Sequence, residues 1–195
     1  RWWWVRHARV AAADRRLFYG RTDVPCDTSD EATFAALARV LPKRAVLVAS
    51  PLKRTQETAA AIARAGLDLP PAHIDADLLE QDFGDWTGRP RKEVYASLGP
   101  DDPVWSAGAP PPGGEAFSQV CARVSAAIAR LSEAHRGRDI VSVSHAGVIR
   151  AAIGHALALD PVRALSFAVD HCAVTRLESI AGRGWAIAYI NRRLD

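Results

Sequence analysis

Three short segments carry side chains suited to phosphate chemistry, and each stands directly after an apolar run. Arg6-His7 follow residues 2–5, Ser50-Pro51-Leu52-Lys53-Arg54 follow 45–49, and His145 follows 140–144. Short runs of this kind, aromatic or β-branched and bounded by polar residues, read as strands. In open α/β sheets ligands bind beyond the carboxyl ends of the strands, so the three segments can converge there however far apart they lie in the chain. Arginine offers phosphoryl oxygens a planar fork of N–H donors, and a neutral imidazole can approach an anion as a nucleophile. Each segment alone has a plainer reading: a solvated Arg-His pair, a helix start with Ser50 as cap and Pro51 in the first turn, and a satisfied histidine near a helix N-terminus. It is their joint occurrence that favours chemistry.

The elements that must position these residues follow from periodicity. Residues 2–5, 45–49, 140–144, 174–180 and 186–190 are the expected strands, and 30–41, 53–65, 115–135 and 147–157 have helical spacing and good helix formers. Strand and helix alternate. This predicts an α/β fold: one domain over 1–195, three layers deep, with a mostly parallel central sheet flanked by helices. The last two strands, joined through 181–184, can instead form an antiparallel hairpin at an edge. Residues 100–114 hold five prolines and three glycines, so they form a loop or excursion and not a helix or central strand.

Composition narrows the partners. A chain of 195 residues with 49% hydrophobic and 24% charged residues can bury one substantial core. The formal charge of +3 comes from scattered Lys and Arg, which favours a small anionic metabolite over nucleic acid. No apolar run is long enough to span a bilayer, so no membrane partner and a cytoplasmic address are expected. Cys26, Cys121 and Cys172 are odd in number and far apart, with no C-x-x-C spacing, and read as reduced, packed thiols. His73, His135 and His155 lack partners at metal-ligand spacing, so no metal site is expected. With no Met in the chain, the natural start is expected to lie upstream. The sequence is compatible with a homodimer.

Taken together, Val5-Arg6-His7-Ala8, the stretch Ser50-Pro51-Leu52-Lys53-Arg54 with Thr58, and Val143-Ser144-His145-Ala146-Gly147-Val148-Ile149-Arg150 resemble the motifs of the histidine phosphatase superfamily, also called the phosphoglycerate mutase-like family. The segment 79–88 is similar to the one that supplies that family's acid, and Gly113-Gly114-Glu115-Ala116-Phe117 to the one that opens a long helix. The resemblance covers nearly the whole chain. It implies that His7 is the nucleophile of a phosphohistidine route and that Arg6 and Arg54 hold the phosphoryl oxygens. His145 would add a donor when protonated, and Glu80 would protonate the leaving oxygen, with Asp82 and Asp85 as rivals. Such a route requires no metal and no cofactor. Ala8 and Ala146 stand where the family has Gly, bringing methyl groups close to the phosphate. Arg9 stands in place of Glu, either as a further cation of the substrate pocket or as a solvated surface residue.

The stretch 17–25 is similar to the C-Y-G-R-x-D-x-P segment of α-ribazole phosphatases, with Phe18 in place of Cys. That resemblance implies that Tyr19, Gly20 and Arg21 help bind substrate, and that the substrate is α-ribazole 5′-phosphate or a related small phosphate of cobalamin synthesis. A cofactor-dependent phosphoglycerate mutase is the runner-up, disfavoured because 10–16 lacks the Trp-Asn of mutases. A catalytically inactive phosphate-binding module is the third reading. His171, just before the fourth strand, is a candidate without an assigned role.

Overall fold

Each apolar run of the sequence becomes a strand of one six-stranded sheet. The computed structural model describes residues 1–10, 16–102, 107–180 and 183–194. The strands are β1 (Trp2–Arg6), β2 (Val46–Ala49), β3 (His73–Ile74), β4 (Ile140–Ser144), β5 (Val174–Ile180) and β6 (Gly184–Arg192), in the order β3-β2-β4-β1-β5-β6. The four strands from β3 to β1 are parallel, and β5 and β6 run antiparallel at one edge, so the sheet is mostly parallel with the anticipated edge hairpin. Of the connection 181–184, residues 181–182 lie outside the described residues.

Among the described residues the α-helices are α1 (Glu31–Val40), α2 (Lys53–Arg64), α3 (Arg91–Ser97), α4 (Phe117–Ala134), α5 (Ala146–Leu157) and α6 (Pro161–Leu165). The alternation of β1 sorts them into layers. Trp2 and Trp4 stack at 4.8 Å on one face, in the core built with Ile128, Leu131, Ile149 and Ile153 from α4 and α5. Trp3 and Val5 face the other way, into the core with Phe34 and Leu37 of α1 and Ile62 of α2. Burying a large aromatic side chain contributes roughly 3 kcal/mol, so a strand that begins Trp-Trp-Trp anchors both cores at once. Trp2 and Trp3 keep their indole N–H groups satisfied, donating to Ser132 Oγ at 2.9 Å and Asp139 Oδ1 at 3.2 Å.

Register decides where the chemistry gathers. Arg6 pairs with Ser144 and Ala49 with Val143, so the carboxyl ends of β1, β4 and β2 finish side by side. Antiparallel β5 begins against the end of β1, with Val174 opposite Val5, which brings residues 170–173 to the same rim. The proline- and glycine-rich excursion packs onto the segment after β3: Asp85 N–H donates to Pro112 O at 2.8 Å and Glu115 N–H to Asp82 O at 2.9 Å. Residues 103–106 of that excursion lie outside the described residues. Among the described residues no helix is long and apolar enough to cross a membrane.

Candidate active site

His7 leaves β1 and is 1% exposed. Its backbone N–H donates to Ser144 O at 2.9 Å, which fixes it against the end of β4. The side chain donates from Nδ1 to Ala8 O at 2.7 Å, since a carbonyl only accepts. The proton is thereby held on Nδ1, leaving the Nε2 lone pair unprotonated. Burial, then the charges of Arg54 and Arg6, push the imidazole well below its usual range, so the ring is neutral at pH 7. The imidazoles of His145 and His171 each lie with centroids 5.2 Å from that of His7.

His145 is fully buried at the start of α5. Arg54 donates from Nε to His145 Nδ1 at 3.3 Å, so the ring carries its proton on Nε2, which meets Ser50 Oγ at 2.7 Å. Burial and the adjacent Arg54 charge hold this imidazole well below its usual range too. The expected extra donor is therefore not present: the ring is neutral, and both nitrogens are engaged by protein. Ser50 does not cap a helix either. Its hydroxyl meets His145 Nε2 and accepts from Leu52 N–H at 3.3 Å, and α2 starts three residues later at Lys53, with Leu52 as an N-cap lacking a side-chain bond.

Arg54 departs from expectation in a similar way. It is 0% exposed and donates to Gly20 O at 2.6 Å, Thr22 O at 2.8 Å and His145, with its guanidinium 5.0 Å from the Tyr19 ring centroid. Its fork thus holds the 20–22 turn instead of facing open space, and its charge acts on the site through the buried imidazoles. Gly20 is required at that turn. Its φ is +41°, and a Cβ would meet Gln81 O and the Phe83 ring at 2.9 Å.

Two cavities share Arg6, Tyr19 and Arg91 in their walls, and buried His7 lines neither of them directly. One, of about 270 Å³, adds Arg9, Asp170, His171 and Arg193. The other, of about 230 Å³, adds Glu80, Ala146, Gly147 and Arg150 along with aromatic side chains. Arg6 reaches both, its Nη1 donating to Val169 O at 2.5 Å. Glu80 accepts at Oε2 from Gly147 N–H at 3.4 Å and at Oε1 from Gln81 N–H at 3.0 Å, at the positive end of α5. Gly147 is needed for that approach, because a Cβ there would collide with Glu80 Oε1.

The structure thus brings together His7, Arg6, Glu80, His145, Ala146, Arg9, Tyr19 and Gly20. It does not bring the Arg21 side chain to either cavity. Arg21 instead bridges Glu115 at 3.1 Å, Asp82 at 3.8 Å and the Glu80 carbonyl at 3.3 Å, so it is a strut for the acid segment. Arg123 works alongside it, holding both Glu115 oxygens at 2.7 and 2.9 Å and the Asp77 carbonyl at 2.6 Å. Asp82 accepts from Gly84 N–H and Asp85 is exposed. Neither lines the two cavities. Arg91 and Arg193 had no place in the sequence motifs, and Arg150 closed the second histidine motif without a role. Arg150 left a signal, since it lies four residues after Ala146 on the same face of α5. Arg91 and Arg193 left none. His171 acquires a place: its Nδ1 donates to His7 O at 2.9 Å. Among the described residues no three His, Cys, Asp or Glu side chains are gathered as a metal-ligand set.

Comparison with known proteins adds relatives to this geometry. The profile of the histidine phosphatase superfamily (branch 1) matches residues 2–193. A bifunctional protein of Mycobacterium tuberculosis is 32% identical over 166 residues, which are 80% of this chain but 43% of the relative, so the chain spans less than half of that protein's length. An adenosylcobalamin/α-ribazole phosphatase of Salmonella typhimurium is 30% identical over 176 residues, 87% of this chain and 86% of the relative. The α-ribazole phosphatase of Shigella flexneri superposes with a TM-score of 0.81 at 26% identity, covering 99% of this chain and 96% of the other. A mycobacterial glucosyl-3-phosphoglycerate phosphatase in complex with VO3 superposes with a TM-score of 0.82 at 26% identity, covering 97% and 98%.

Proposed function

The chain belongs to the histidine phosphatase superfamily, branch 1, and from that premise we propose that it hydrolyses a phosphomonoester through a phosphohistidine at His7, with α-ribazole 5′-phosphate or a close relative as substrate. A phosphatase activity is supported by the family and by the phosphatases among its relatives. The observation that carries the mechanism is the state of His7, a buried neutral imidazole with Nδ1–H donated to Ala8 O and Nε2 unprotonated.

In the proposed reaction Nε2 attacks phosphorus in line with the leaving oxygen, the P–N bond forms as the P–O bond breaks, and Glu80 gives its proton to the departing alkoxide. The carboxylate then takes a proton from water, which attacks the phosphohistidine and releases inorganic phosphate and free His7. Arg6 offers its guanidinium to the phosphoryl oxygens, and the buried charge of Arg54 stabilises the anion while keeping both histidines neutral. The N-terminus of α5, entered by Ala146, presents its positive end to the same space. His171, which donates to the carbonyl of the nucleophile's own residue, steadies the backbone there.

The substrate is supported by the likeness to α-ribazole phosphatases and by the placement of Tyr19 and Gly20 in the wall of the acid's cavity. The test is a panel of α-ribazole 5′-phosphate, 3-phosphoglycerate, glucosyl-3-phosphoglycerate and sugar phosphates, run in EDTA and ranked by kcat/KM. The reading predicts release of phosphate with α-ribazole 5′-phosphate at the head. Isomerisation of 3-phosphoglycerate would make it a mutase, and turnover of nothing would leave a binding module.

A further inference from the structure

The cavity of about 270 Å³ gathers four guanidinium groups, those of Arg6, Arg9, Arg91 and Arg193, against one carboxylate, Asp170. Arg6 and Arg91 belong to the cavity of Glu80 as well. Arg9 and Arg193 do not, and the proposed reaction uses neither. Elsewhere on the molecule arginines end on carboxylates, as Arg123 does on Glu115, Arg130 on Asp75 and Asp77, and Arg163 on Asp160. Among the described residues none of the four in this cavity forms such a pair.

The nearby carboxylates are engaged by other groups. Asp170 accepts from Asn191 Nδ2 at 3.3 Å, and its N–H donates to Asn191 Oδ1 at 2.6 Å. Arg9, His171 and Arg193 also wall a cavity of about 540 Å³, whose carboxylates are Asp27 and Asp30. Asp27 Oδ1 accepts from the N–H and the hydroxyl of Ser29 at 3.0 and 2.6 Å. Asp30 caps α1, its two oxygens taking the N–H and the hydroxyl of Thr33 at 3.1 and 2.7 Å. Both arginines stand on fixed backbone. Arg9 O accepts from Asp27 N–H at 2.7 Å beside the Val10–Cys26 bridge, and Arg193 follows directly on β6, whose Arg192 pairs with Val174 next to the 170–173 rim. Like charges held around one open space repel one another, and an anion entering that space relieves the repulsion.

We infer that this cavity is a second anion site, in which Arg9 and Arg193 take a phosphate group alongside the phosphoryl group that is transferred. A phosphate dianion has oxygens for two guanidinium forks, whereas one fork satisfies a carboxylate. The group comes with the substrate, as the second phosphate of a bisphosphorylated metabolite, or enters as free inorganic phosphate. Only its place beside a transferred phosphoryl group rests on the phosphatase reading; the site itself rests on the four guanidinium groups.

The experiment reads binding in the His7→Ala background, where no ester is consumed. Inorganic phosphate, ribulose 5-phosphate and ribulose 1,5-bisphosphate are titrated calorimetrically into that protein and into the same protein carrying Arg9→Gln, Arg193→Gln or both, substitutions of exposed side chains. A free anion predicts two phosphates per chain and one in the protein with both substitutions. A substrate-borne anion predicts that the bisphosphate binds more tightly than the monophosphate, with the ratio falling about tenfold to a hundredfold when both arginines are replaced. Either result supports the inference. One phosphate per chain, together with a ratio of Kd values unmoved by the two substitutions, overturns it. Failure of the protein that retains His7 to turn over either ester counts against the phosphatase reading alone, because the titrations need no turnover.

Discussion

At the scale of single residues, the division of labour between His7 and Glu80 is the part of the proposal most open to kinetic attack. Glu80 is held at the start of α5 by Gly147 N–H. If it supplies the leaving group's proton, Glu80→Gln should lower kcat/KM for an alkyl phosphate by about 10²–10⁴, and far less for p-nitrophenyl phosphate, whose phenolate departs with little help. Gly147→Ala should show the same selectivity in weaker form, because its methyl displaces the carboxylate while suiting the helix. Equal losses on the two esters would move the acid elsewhere, and Asp82→Asn and Asp85→Asn measured in parallel would show where. Residue types and spacing singled out Arg6, His7 and His145, while Glu80 came from the resemblance to the family alone. The sequence could not reveal that Arg54 spends its donors on Gly20 and Thr22 carbonyls, or that His145 is a neutral link between Arg54 and Ser50. Those states arise from burial, and burial is a property of the packed molecule.

At the scale of elements, the same local signal has opposite outcomes at two places. Asp160-Pro161 and Ser50-Pro51 both look like a cap followed by a first-turn proline. Asp160 does cap α6, accepting from Arg163 N–H, whereas the Ser50 hydroxyl is drawn into the site by His145 and α2 begins later. Tertiary demand overrides local preference where the site needs the group. The long helices and five strands were readable because their apolar spacing reports burial on one or both faces. β3 escaped notice because its two residues are both exposed and so carry no pattern, and α3 and α6 because seven and five residues are too few to show a period. The clamp of the proline- and glycine-rich excursion on the acid segment was also invisible. It is made of backbone bonds such as Asp85 N–H to Pro112 O, which are indifferent to side-chain type.

At the scale of the whole molecule, a site assembled from two buried neutral histidines ties stability to pH. Burial and neighbouring guanidinium charges lower the folded-state values of His7 and His145 below the 6.5 of an unperturbed histidine, and half-buried His155 shifts the same way through burial. Well above pH 6.5 these rings are neutral in both folded and unfolded chains and contribute no pH dependence. As pH falls through 6.5 the unfolded chain takes up protons first, so stability is lost by up to about 1.4 kcal/mol per pH unit for each fully shifted histidine. Urea denaturation followed from pH 8 to 5 should give a midpoint that is flat above about pH 7 and falls below it, with a shallower fall in His7→Gln. A midpoint that rises or stays level down to pH 5 would mean that the imidazoles are charged or accessible in the folded state.

The covalent intermediate is the centre of the account, and trapping it is the most direct test. Wild-type protein mixed with a phosphorus-labelled phosphomonoester and quenched in base within a turnover should carry phosphate that is stable to base, released by acid and mapped by mass spectrometry to His7. The His7→Ala protein, shown to be folded by its circular dichroism, should carry none and turn over nothing. Label that survives in His7→Ala, or that maps to another residue in the wild type, would contradict the assignment of His7 as nucleophile.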